Sequence, residues 1–133
     1  MAPKVAGKSR ARLNEAMAED ALGLPVLALV RDMIFASKIA GTARASGTTI
    51  KMLRDPAQLA GQAGRLLIVD LNLEGAIEAA SEWKRIGGGD LVGFVSHVDS
   101  ETIGRARSAG IEKIMARSQF VQDLAALLGG GRD

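Results

Sequence analysis

Five apolar blocks of strand length, each followed by a segment with helical periodicity, predict an α/β protein: a three-layer α/β/α sandwich, (βα)5, around a five-stranded parallel sheet. Two further observations support this class. The first, third and fourth blocks are near-continuously apolar, as strands buried on both faces are, and each of the five is followed by a helical segment, which specifies a parallel sheet. One of them, Leu66-Leu67-Ile68-Val69-Asp70, ends in a carboxylate, and open α/β sheets put their chemistry just beyond the strand tips.

Taken in order, Val26-Leu27-Ala28-Leu29-Val30 is the first strand, halted by Arg31 and Asp32. Asp32 is suited to cap a helix from Met33 to Ser46, whose Ile34, Ala36, Ile39, Ala40 and Ala43 form a stripe, with Gly41 weakening its middle and Gly47 ending it. Thr48 to Leu53 is β-branched and partly alternating, as an edge strand is. Asp55-Pro56 opens a short helix, with Asp as cap and Pro in the first turn. After the third strand at Leu66–Asp70, Glu74 to Ile86 carries Ile77, Ala80 and Trp83 on one face and stops at Gly87-Gly88-Gly89. This glycine cluster follows a helix and precedes a strand, the reverse of a phosphate-binding loop. Leu91 to Val95 is the fourth strand, with Ser96 and His97 at its tip. Asp99 or Ser100 caps the next helix, which runs to Gly110. Ile111 to Ala116 is the fifth strand, and Ser118 is read as the cap of a last helix bearing Phe120, Val121, Leu124, Leu127 and Leu128.

Residues 1–24 read as a tail with a short amphipathic helix over 11–19, where Leu13, Ala16 and Met17 share a face. Residues 25–129 form the α/β domain, and 130–133 are a flexible tail. A length of 133 residues accommodates one sizeable core, and with aromatics at 3% that core must be aliphatic. The absence of cysteine excludes disulfides, thiolate zinc sites and a cysteine nucleophile, and fits a cytoplasmic protein. No apolar run is long enough to span a membrane. A net charge of +2 is too small to call for nucleic acid; Lys4, Lys8, Arg10 and Arg12 predict at most salt-sensitive contact.

If the strands are parallel, the residues past their tips converge: Arg31 and Asp32, Asp70, Ser96 and His97, Arg117 and Ser118. This ordered set resembles the receiver domain of two-component response regulators, over the stretch from about Leu24 to Leu128. Chain length and the five repeats favour the flavodoxin-like strand order 2-1-3-4-5. The resemblance implies that Asp70 is the phosphoacceptor candidate of a phosphorelay, that the backbone carbonyl of Asn72 reaches a metal, and that Ser96 senses the phosphoryl group. Several positions depart from the family. Arg117 stands where a Lys is expected, Ser118 replaces the following proline, Ile114 replaces a switch aromatic, and His97 replaces a small residue. After the first strand, Arg31-Asp32 replaces an acidic pair, leaving Asp32 and Asp70 as the metal candidates.

These departures point to a degenerate receiver, or pseudo-receiver, that is not an enzyme and works through protein–protein contacts of its last helix-strand-helix face, with a homodimer among the options. No cofactor is called for, apart from magnesium if Asp70 is phosphorylated. Arg31 is either a solvated charge or a salt-bridge partner of Asp70 or Asp32. The alternative is a flavodoxin-like module holding a small ligand at the switch point between the first and third strands, against which stand the missing phosphate loop and the absence of tyrosine. A hydrolase built on Ser96, His97 and Asp99 lacks both the nucleophile elbow and the spacing for a triad.

Overall fold

A computed structural model describes residues 23–97 and 99–129. The expected helix over 11–19 and the tail 130–133 lie outside the described residues. The elements run β1 (Val26–Leu29), α1 (Met33–Ala45), β2 (Ile50–Leu53), a 3-10 turn (Pro56–Leu59), β3 (Leu66–Asp70), α2 (Ala76–Arg85), β4 (Asp90–Val95), α3 (Ser100–Ser108), β5 (Ile114–Ala116) and α4 (Arg117–Gly129). The strands form one sheet in the order β2-β1-β3-β4-β5, every pair parallel. This is the expected α/β/α sandwich.

Alternation along the strands divides the core in two. Leu27, Leu29, Leu67 and Val69 face α2, α3 and the 3-10 turn, where Ile77, Ala80, Trp83 and Ala106 meet them. Val26, Ala28, Ile68 and Phe94 face α1 and α4, packing against Phe35, Ile39, Phe120 and Leu124. Three phenylalanines pack together in the second layer, with Phe35 edge-on to Phe94 and Phe94 stacked on Phe120 at 4.9 Å between centroids.

Among the boundaries that differ from the sequence reading, four have a clear local reason. The helix α2 starts at Ala76 rather than Glu74, because Gly75 takes a left-handed φ of 83° that a helix cannot continue through. β4 begins one residue earlier, at Asp90, whose N–H donates to the Arg65 carbonyl at 2.9 Å. β5 is only three residues long, since the Ile111 N–H closes the end of α3 on the Ala106 carbonyl at 3.0 Å and its side chain packs with that helix's layer. The strand then passes straight into α4 at Arg117, so Ser118 lies inside the first turn and is not its cap. Of the two candidates before α3, Asp99 is the cap, accepting from the Thr102 N–H.

The glycine triplet is a packing device. A Cβ on Gly88 would lie 2.5 Å from the Trp83 ring, and one on Gly89 would lie 2.4 Å from the Arg65 carbonyl oxygen. The backbone clash is the less forgiving of the two, because the Arg65 carbonyl is already held by Asp90. Gly89→Ala is expected to destabilise the protein by about 1–3 kcal/mol. Gly41→Ala, in α1 with nothing near its side-chain position, should instead stabilise it by about 0.5–1 kcal/mol. Urea unfolding of the two variants against the parent checks both signs.

Candidate functional site

At the C-terminal edge of the sheet the apolar strands run out and polar side chains begin. Asp70 ends β3, half-buried, and its Oδ1 accepts from the backbone N–H of Asn72 at 3.0 Å. Partial burial pushes its carboxyl above the ordinary value; the Asn72 hydrogen bond and the charges of Arg117 and His97 oppose that shift, and Asp32 adds to it. Among the described residues no ion pair reaches Asp70.

Asp32 follows β1 and caps α1. Its Oδ1 accepts from the N–H groups of Ile34 at 2.9 Å and Phe35 at 3.1 Å, and the Phe35 bond leads the causes that lower its pKa. Its Oδ2 lies 3.4 Å from Arg117 Nη2. The Arg117 guanidinium in turn lies over the Phe35 ring, 3.9 Å from the centroid. With both side chains in contact with solvent, the ion pair itself adds little to stability. Its weight is in placement: the stacking and the carboxylate together turn the cation toward α1.

Arg31 corrects one option raised by the sequence. Its Nε donates to the Arg54 carbonyl at 3.3 Å, at the end of β2, and it pairs with neither acid. The open carbonyl there provides a partner without burying the charge.

Asn72 has a role that its backbone does not express. Its Oδ1 accepts from the N–H groups of Ser96 at 2.7 Å and His97 at 2.9 Å, and its Nδ2 reaches Asp99 Oδ2 at 3.5 Å. One amide therefore ties the loop after β3 to the loop after β4. Asp99 holds that loop from the other side while capping α3, and both contacts lower its pKa, the Thr102 N–H foremost. His97 is exposed and Ser96 partly so. Among the described residues no hydrogen bond joins the side chains of Ser96, His97 and Asp99, so they form no triad.

Magnesium favours near-octahedral oxygen ligation by carboxylates and waters. Asp32 Oδ1 is held by two helix N–H groups and Oδ2 by Arg117, while one Asp70 oxygen is held by Asn72. Among the described residues no group of three metal-ligating side chains gathers. The donor set fits a divalent cation poorly, since Asp32 would first have to leave both its helix and its guanidinium.

Replacing Asp70 by Asn removes a partly desolvated charge while keeping the acceptor for Asn72. A raised folded pKa means that the stability contribution of Asp70 is complete below its ordinary value of 3.8 and is lost as pH climbs through the folded value. Asp70→Asn should therefore raise the unfolding midpoint at neutral pH, with the gain disappearing toward about pH 3. Asn72→Ala leaves two loop N–H groups without their acceptor and should cost about 1–2 kcal/mol. Amide exchange should speed up first at Ser96 and His97.

No protein-family model and no curated protein sequence matches this chain. Solved structures do. A response-regulator receiver domain protein (CheY-like) from Methanospirillum hungatei superposes with a TM-score of 0.67 at 14% identity, covering 78% of this chain and 89% of that one. A response regulator from Burkholderia pseudomallei, described with a phosphorylated aspartic acid, a calcium ion and citrate, gives 0.66 at 14% identity over 79% of this chain, which spans 66% of that protein's length. The phosphorylated cyanobacterial phytochrome response regulator RcpA gives 0.64 at 14% identity, with 80% and 89% covered. Sheet order, parallel pairing and these superpositions together establish that the chain has the flavodoxin-like fold of response-regulator receiver domains.

Proposed function

We propose that this is a receiver-like signalling domain with a degenerate acidic pocket, which conveys its signal through protein contacts and does not depend on phosphoryl transfer to Asp70. The observation that carries the reading is the capture of Asp32. An aspartate attacking phosphorus needs the charge around the transferred group neutralised, and that electrostatic contribution is a large share of phosphoryl-transfer catalysis. In this pocket the second carboxylate is tied to a helix terminus and the one nearby fixed cation is turned toward it, stacked on Phe35. Arginine is also a planar fork, less suited than a lysine ammonium to act as a compact point charge.

The contact face we assign is the α3–β5–α4 side. β5 is an edge strand of three partly exposed residues, so one row of its backbone groups lacks a strand partner. Val121 and Leu127 of α4 are only partly covered. The small-ligand alternative draws no support from the apolar groove beside Trp83, which is lined by Gly64 before β3 and Gly88 after α2, at the opposite end of the sheet from the β1 and β3 tips.

Incubation with acetyl phosphate and magnesium, followed by intact-mass analysis, tests the reading. The expected result is no phosphoryl adduct under conditions that label a phosphorylatable receiver. An adduct lost in Asp70→Asn would overturn it and restore an ordinary phosphorelay role.

A further inference from the structure

The groove beside Trp83 is independent of the acid pocket and is built as a docking site. It encloses about 420 Å³ between the 3-10 turn and the end of α2, with Leu24, Pro56, Leu59, Trp83 and Ile86 among its walls. The Trp83 ring is held in place by its indole N–H, which donates to the Gln62 carbonyl at 2.8 Å. Ile86 is 61% exposed, one of three large apolar side chains so exposed among the described residues. Leaving such a side chain in water forgoes the stabilisation its burial would contribute.

Where the described chain begins indicates the occupant. Gly23 has helical backbone, and the next residue, Leu24, is itself a wall of the groove. At 100° per residue, Leu13 and Met17 fall within about 40° of each other and form one stripe, which Asp20 interrupts. Glu15 and Glu19 fall on the far side. A helix over this segment would present Leu13 and Met17 on one side, and the chain leads from it directly to a residue already in the groove wall. We propose that the groove is the seat of this chain's own segment 11–22, docked as an amphipathic helix against Trp83 and Ile86. A short Ala-rich helix is marginal alone and needs such a surface.

The chain contains no cysteine, so pairs can be introduced cleanly. In the full chain at low concentration, Met17→Cys with Ile86→Cys is treated with a short bismaleimide and compared with Met17→Cys with Arg44→Cys, an exposed position on α1 across the sheet. The expected result is a cross-link within one chain for the first pair, little for the second, and loss of the first on adding Leu13→Asp with the unfolding midpoint of the α/β domain retained. Equal yields for both pairs, no cross-link at all, or linked dimers would each overturn the proposal. Linked dimers would assign the groove to a second copy.

Discussion

Burial of both faces of β1 and β3 is the constraint from which the rest follows. Val26 through Leu29 and Leu67 through Val69 are fully excluded from solvent, and their backbone groups are taken up in parallel ladders on either side. A strand in that position carries only apolar side chains, needs a helical layer above and below, and delivers polar groups only where it ends. Parallel pairing puts those ends on one edge. Asp32, Asp70, Ser96 and Arg117 follow or end elements at that edge, where the buried central strands give way to polar side chains.

The two layers covering the sheet are unlike each other, and the difference bears on the site. On the α1/α4 side three phenylalanines fill the space beneath the pocket, and the outermost, Phe35, offers its ring to Arg117. On the α2/α3 side the packing is aliphatic apart from Trp83, and it leaves a groove at the far end. The direction in which the cation points is therefore set by the composition of the core as well as by the charges at the rim.

The first, third and fourth strands were legible as near-continuous apolar runs of strand length, the second by its β-branched, partly alternating pattern, and Asp70 because it ends one of the runs. The start of the fifth strand was not. Ile111 is as apolar as a strand residue, and only its hydrogen bond to Ala106 shows that it completes α3. Glu74 reads as a helix former until the left-handed Gly75 is seen beside it. Within the site, the position of each side chain along the chain was readable, while its direction was not. Arg31 turns to a carbonyl 23 residues away, and Asn72 spends its amide on a loop 24 residues on. Such choices depend on which acceptors neighbouring strand ends leave open, a property of the assembled sheet.

Asp32 shows why this pocket is hard to switch by recruiting a cation. Swinging its carboxylate toward Asp70 would uncap α1 and would leave Arg117 without its carboxylate. The cation would then have to settle near Asp70, where it competes with the incoming ion, or remain over Phe35 unpaired. Ligation at Asp70 is thereby coupled to the first turn of α1 and the first residue of α4 through one side chain.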